Sequence, residues 1–124
     1  MIKKIHHVGL AVRNIEVVAS FLKDVFGAEV EPDYALETNE FLSHMVKAGQ
    51  NRFELMEPRG KDGLIERFLN SRGEGIHHVS LQVDNLEEVL KLCEEKRMIL
   101  IDRRFIHPRS AHGILIELLR SDEG

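Results

Sequence analysis

The sequence is short of cysteine and of long hydrophobic runs. Its single cysteine, Cys93, excludes an intrachain disulfide, and its place on the apolar face of a predicted helix favours simple packing. The longest apolar stretches, such as ILIELL, fall far below the roughly 18–20 residues that cross a bilayer. The first residues, MIKKIHHV, contain no apolar signal-peptide core. We therefore expect a cytoplasmic protein without a membrane partner.

The chain also has no excess of positive charge and no linker-like segment. Its formal net charge is −4 with 31% charged residues, which argues against a nucleic-acid-binding surface and against disorder. The segment GKDG at 60–63 does not match a phosphate-binding loop and is typical of a turn. With 124 residues and no low-complexity stretch, we predict a single domain over residues 1–124.

A segment of the sequence occurs twice, 71 positions apart. IHHVGLAVRNIEVV begins at Ile5, and IHHVSLQVDNLEEVL begins at Ile76. A repeat this long indicates one supersecondary unit used twice, with the halves related by a pseudo-twofold axis. The identical pairs are Ile5/Ile76, His6/His77, His7/His78, Val8/Val79, Leu10/Leu81, Val12/Val83, Asn14/Asn85 and Glu16/Glu87.

Hydrophobic periodicity predicts the same order of elements in each half. The first half reads as strand 5–12, a helix capped by Asn14 and ended by Gly27, and strands 28–33, 41–48 and 51–57. A short helix over 64–71 connects it to the second half. There we predict strand 76–83, a helix capped by Asn85, and strands near 98–106 and 113–119. The sequence therefore predicts an α+β protein of two βαβββ units, about 1–60 and 74–120.

Two symmetric pairs of side chains are candidate metal ligands. His7 and His78 form one repeat pair; Glu54 in FELM and Glu117 in ILIELL form the other, and each glutamate interrupts an apolar strand. A charge there is costly unless it is paired or metal-bound. Two imidazoles and two carboxylates suit a divalent transition metal. Any one of these residues alone would be interpreted as a surface residue, but their symmetry favours a metal site.

The neighbouring histidines, His6 and His77, repeat as faithfully and are an alternative ligand pair. Adjacent residues on a strand point to opposite faces, so only one pair can face the site. His6 shares its face with Val8, Leu10 and Val12, which are typical of a core. We therefore favour His7 with small Gly9 and Ala11 beside an open cavity, and assign His6 and His77 a structural role.

Several segments of the chain resemble methylmalonyl-CoA epimerases of the vicinal-oxygen-chelate (glyoxalase/bleomycin resistance/dioxygenase) superfamily. The resemblance covers nearly the whole chain; its segments are IHHVGLAV, FELMEP, SRGEGIHHVSLQVDN and HPRSAHGILIEL. It implies a curved mixed sheet around a metal site with ligands at His7, Glu54, His78 and Glu117. It also implies one divalent ion per site, with Co²⁺ favoured over Zn²⁺, Ni²⁺ or Mn²⁺, an acyl-CoA substrate and a homodimer.

The resemblance also implies an acid–base residue upstream of the first glutamate ligand. Glu37 matches the family's proton-transfer base by ungapped count, and Glu40 is the fallback. For proton transfer on the opposite face, Glu117, Asp102 and water remain alternatives. The segment LIDRRFIHPRS, beginning at Leu100, is shorter than in typical epimerases, which leaves the acyl group open. The alternatives to an epimerase are a lactoylglutathione lyase and a non-catalytic binding protein of this fold.

Overall fold

A computed structural model describes residues 1–123 of the chain. Its elements form two successive βαβββ copies joined by a helix, which confirms the predicted α+β fold class. The first copy contains β1 (Ile2–Ala11), α1 (Ile15–Phe26), β2 (Glu29–Glu37), β3 (Phe41–Ala48) and β4 (Asn51–Pro58). The connecting helix is α2 (Leu64–Arg72). The second copy contains β5 (Gly75–Val83), α3 (Leu86–Glu95), β6 (Leu100–Ile101), β7 (Phe105–Ile106) and β8 (Ile116–Arg120), with a 3-10 helix at Pro108–Ser110.

The two repeat helices begin in the same way. Asn14 Oδ1 accepts a hydrogen bond from the backbone N–H of Val17, and Asn85 Oδ1 accepts one from that of Glu88, each at 3.1 Å. Both caps satisfy a backbone donor that the first helical turn leaves without a partner. At its other end, α1 stops at Gly27, whose φ of 71° is a left-handed conformation that glycine adopts without steric cost.

One compact unit comprises residues 8–77. In it β4 lies between β3, which runs antiparallel to it, and the end of β1, which runs parallel to it. β2 pairs with the outer edge of β3. The apolar residues of α1 recur at helical spacing, so they form one face of the helix. This face packs on the sheet. The buried cluster between helix and sheet consists of Val12, Ile15, Ala19, Leu22, Ala28, Val46 and Leu55.

A second cluster in the 8–77 unit covers the other face of the end of β1. Ala11 is fully buried against Met56 of β4 and against Ile65 and Leu69 of α2. The expectation of an open cavity beside Ala11 is therefore wrong. The short helix α2 was predicted from the sequence, but its packing partner could not be, because amphipathic periodicity does not say which sheet face a helix covers.

The other compact unit, the split unit, combines residues 1–7 with residues 78–123. Its strands follow the order β5-β8-β7-β6, with β5 parallel to β8. Helix α3 supplies Leu86, Leu90 and Cys93 to the core, and burial raises the pKa of the Cys93 thiol. The buried cluster consists of Val83, Leu86, Leu90, Cys93, Ile106, Ala111 and Leu118.

The structure differs from the sequence prediction in the segments after each repeat helix. Strand β2 continues to Glu37 past a change of register between Val30 and Ala35, rather than ending at residue 33. The strand predicted near 98–106 is instead a tight hairpin of two short strands. Asp102 and Arg103 form its turn with φ of 51° and 53°. Aspartate is common at the first central position of such a turn, but arginine is unusual at the second, so the pair is a weak turn signal. No helix in the described chain is both long and apolar enough to span a bilayer.

Candidate metal centre

Two of the predicted ligands, His7 and His78, face each other in the split unit. Both side chains are buried, with only 4% of each residue exposed. Their Nε2 atoms lie 3.1 Å apart, and the rings meet edge to face with centroids 5.2 Å apart. The ring of Phe105 packs edge-on against His78 at 6.4 Å between centroids. Packing therefore holds two potential metal-binding nitrogen atoms next to each other.

Glu117 brings a carboxylate to the same point. It lies on β8 opposite Ser80 of β5, two residues beyond His78, so strand alternation directs it to the same face as His78. Its Oε1 is 3.3 Å from His7 Nε2 and 3.6 Å from His78 Nε2. The structure thus brings together three of the four predicted ligands within one unit.

The pKa of Glu117 reflects opposing effects. Burial by itself raises this pKa, whereas the hydrogen bond from His7, the charges of His78 and His7, and the hydroxyl of Ser80 lower it. The net pKa lies below the ordinary value for glutamate. Glu117 is therefore ionised at neutral pH, the state in which a carboxylate binds a cation.

These three side chains fit a divalent transition metal. A metal–nitrogen bond of about 2.1 Å places adjacent ligand atoms roughly 3.0–3.4 Å apart, close to the separations of His7, His78 and Glu117. The converging atoms are all acceptors when both imidazoles carry their proton on Nδ1, so a cation or a proton must lie among them. The hydroxyl of Ser80, which lies opposite Glu117, is buried as well. Among the described residues it has no hydrogen-bond partner that meets the usual distance and angle limits.

The fourth predicted ligand, Glu54, lies on β4 of the 8–77 unit. It is half-buried and pairs across the parallel ladder with Gly9 of β1, and across the antiparallel ladder with Met45. Gly9 follows His7 by two residues, as Ser80 follows His78 by two. Glu54 and Glu117 therefore occupy equivalent register positions in the two copies.

The acid–base candidates lie on turns and strand ends. Glu37 is the last residue of β2, exposed, and forms an ion pair with Arg59. Glu40 follows in the turn that Thr38 closes through its hydroxyl. Asp102 is exposed in the β6–β7 turn. All three residues are exposed, and of the three only Glu37 forms an ion pair with another described residue.

One residue has a contact that the sequence did not predict. His6 is buried, with 5% exposed, and its Nδ1 lies 2.7 Å from Nδ1 of His7. The alternation of side chains along a strand predicts opposite directions for neighbours, which is why a direct bond between His6 and His7 was not expected. The only feature of the sequence that points to this contact is the pair of adjacent histidines.

Comparison with known proteins supports a single family. The glyoxalase/bleomycin resistance protein/dioxygenase superfamily profile matches residues 6–116. The mitochondrial methylmalonyl-CoA epimerase of Bos taurus is 34% identical over 127 residues, covering 93% of this chain and 73% of that protein.

Solved structures agree with the sequence comparison. The methylmalonyl-CoA epimerase of Mycobacterium tuberculosis has the same fold, with a TM-score of 0.86 at 23% identity over 98% of this chain and 90% of that one. A variant of the Streptomyces coelicolor epimerase, solved with 2-nitronate-propionyl-CoA, gives 0.85 at 25% identity over 99% and 100%. The chain belongs to the glyoxalase/bleomycin resistance protein/dioxygenase superfamily and, within it, to the methylmalonyl-CoA epimerase family.

Proposed function

We propose that this protein is a metal-dependent epimerase that interconverts (2R)- and (2S)-methylmalonyl-CoA. The observation that carries the proposal is the cluster of His7, His78 and Glu117, whose donor atoms lie within 3.6 Å of one another. Family membership supplies the substrate class, because the Bos taurus relative is a methylmalonyl-CoA epimerase.

The proposed ligand set is His7, Glu54, His78 and Glu117. His7, His78 and Glu117 lie in one unit, and the repeat supports Glu54 as the fourth ligand. Partners across a ladder point to the same face, so Glu54 shares the face of Gly9 and hence of His7. Mixed nitrogen and oxygen ligands suit a divalent transition metal; the resemblance to epimerases favours Co²⁺, with Zn²⁺, Ni²⁺ or Mn²⁺ as alternatives. When bound, the ion supplies Lewis acidity toward the enolate charge that develops when the substrate loses its C2 proton.

Epimerisation requires proton removal on one face of C2 and proton return on the other. We assign removal to Glu37, whose carboxylate Arg59 holds in place. For return in the same direction, the assigned group is Glu117; in the reverse direction the two residues exchange roles. When Glu117 acts as the base, its lowered pKa favours the ionised carboxylate that this role requires; when it returns the proton, it must first have taken up a proton from solvent or from the preceding turnover. Asp102 or a water molecule is the alternative for the second step.

Deuterium exchange tests the proposed reaction directly. Methylmalonyl-CoA is incubated with the Co²⁺-loaded protein in D₂O, and deuterium at C2 is followed by NMR. We expect exchange to depend on both protein and metal, and the metal-free protein is the control. Exchange no faster than in that control would contradict the epimerase assignment.

We further propose that the protein is a homodimer. The outer face of α1 exposes an apolar stripe on the 8–77 unit, and contiguous exposed apolar surface of this kind marks interaction sites. Its members, all more than half exposed, are Val17, Phe21, Val25 and Phe26. Light scattering at micromolar concentration should give the mass of two chains, and Phe21→Glu should shift it toward one. A wild-type monomer with full activity would contradict the dimer.

Cytoplasmic location and the absence of a nucleic-acid partner remain predictions from composition.

A further inference from the structure

His6 contacts a proposed ligand without belonging to the proposed ligand set. Its ring meets that of His7 at a centroid distance of 5.0 Å and an interplanar angle of 79°, and the two Nδ1 atoms are 2.7 Å apart. This distance is that of a strong hydrogen bond, so one nitrogen donates and the other accepts. The direction of the bond decides which tautomer His7 adopts.

The surroundings of His7 decide that direction. His7 Nε2 faces His78 Nε2 at 3.1 Å and Glu117 Oε1 at 3.3 Å, and a nitrogen that binds a metal there carries no proton. A neutral His7 then keeps its proton on Nδ1 and donates it to Nδ1 of His6, whose own proton is on Nε2. The opposite direction would place a proton on Nε2 of His7 and block coordination.

We propose that His6 is a positioning residue: it accepts the Nδ1–H of His7 and so holds His7 in the tautomer and orientation that direct Nε2 to the metal. The inference rests on the proposed metal-dependent function. Metal-bound histidines ordinarily donate their second N–H to a carboxylate, a carbonyl or water, and such partners orient the ring. Here a buried neighbouring imidazole fills that role.

The repeat supplies a matched control, because the equivalent residue has a different environment. His77 is half-exposed, and its ring packs edge-on against Phe68 with centroids 5.0 Å apart. The same residue type at the same repeat position is therefore buried against a ligand in one copy and packed on an aromatic ring in the other. Substitution of His77 should leave the metal site unchanged.

Nitrogen-15 NMR tests the direction of the bond in the unmodified protein. Long-range proton–nitrogen correlation spectra report which ring nitrogen of each histidine carries the proton, in the metal-free and the Zn²⁺-loaded chain. We expect His6 protonated on Nε2 alone and His7 protonated on Nδ1 in both samples. A proton on Nδ1 of His6 with none on Nδ1 of His7 would overturn the inference.

Three variants test what the bond does for metal affinity. His6→Leu removes the acceptor, His6→Asn retains an acceptor oxygen near the position of Nδ1, and His77→Leu is the control. Competition with a chromophoric chelator for Zn²⁺ should show affinity lowered roughly 10–100-fold in His6→Leu, as for other outer-shell partners. We expect His6→Asn to recover most of the loss and His77→Leu to match wild type. Thermal melts establish that each variant is folded.

The outcomes separate this inference from the proposed function. Unchanged affinity in His6→Leu, or equal losses in His6→Leu and His6→Asn, would overturn the positioning role while leaving the metal site intact. If the wild-type chain bound no divalent ion, the proposed function would fall, and the NMR assignment would still decide the direction of the His6–His7 bond. If His6→Leu did not fold, His6→Asn and the spectra of the wild-type chain would carry the test.

Discussion

The two βαβββ copies share their first strand and helix and diverge after it. The first copy continues with three strands of eight or nine residues, whereas the second continues with two strands of two residues and one of five. The shared part includes His7 and His78, and the last strand of each copy includes Glu54 or Glu117. Candidate ligands thus lie where the copies agree, while the candidate base Glu37 lies where they differ.

A repeat can in this way support an asymmetric reaction. Counting back from the candidate ligands Glu54 and Glu117, the position equivalent to Glu37 is Leu100, which packs against the buried cluster of the split unit. A symmetric ligand set with an acid–base residue in one copy suits a substrate whose two faces must be treated by different groups.

The largest effect should come from removing one histidine ligand of either copy. We expect His7→Ala and His78→Ala to lose metal and activity together, because the proposed activity depends on the bound metal. The loss of metal affinity should exceed the roughly 10–100-fold that is typical of an outer-shell partner. Elemental analysis and deuterium exchange measure both quantities. His77→Ala, one residue away on β5, is the matched control. Full metal occupancy in either ligand variant would make the assignment wrong and direct attention to His6 and His77.

The next effect should be confined to the first copy. Glu37→Gln should slow deuterium exchange by about 10²–10⁴-fold, the usual contribution of a general base, with metal content unchanged. Leu100→Met, at the equivalent position of the second copy, should leave exchange close to wild type because it preserves volume. Near-wild-type exchange in Glu37→Gln would transfer the role to Glu40 or to a ligand glutamate.

The cores of the two copies should respond alike. Leu55 and Leu118 each follow a candidate glutamate ligand by one residue, and they are 0% and 2% exposed in separate clusters. Leu55→Ala and Leu118→Ala should each lower the free energy of unfolding by about 2–5 kcal/mol, since each leaves a cavity. Chemical denaturation measures the loss. A cost below the range at one position only would show that one copy collapses around the cavity.

The smallest effects should come from the helix caps. Asn14→Ala and Asn85→Ala each remove the same side-chain hydrogen bond, so each should cost about 1 kcal/mol of unfolding free energy. Thermal or urea unfolding of the two variants side by side provides the measurement. Asn→Asp at either position, which preserves the capping oxygen, is the control and should cost little. Unequal costs would mean that α1 and α3 contribute differently to the folded state.

The sequence by itself determined the repeat, the α+β class, both helix caps and the two symmetric candidate pairs, His7 with His78 and Glu54 with Glu117. These follow from periodicity and internal identity, which are local properties of the chain. Only the tertiary structure decided that α2 covers Ala11, that Asp102 and Arg103 turn a short hairpin, and that His6 bonds His7. Each of these depends on which side chains meet across distant segments or on backbone conformations that residue type does not specify. For the same reason strand alternation could favour His7 over His6 as the ligand, but only packing could show that the two rings contact each other.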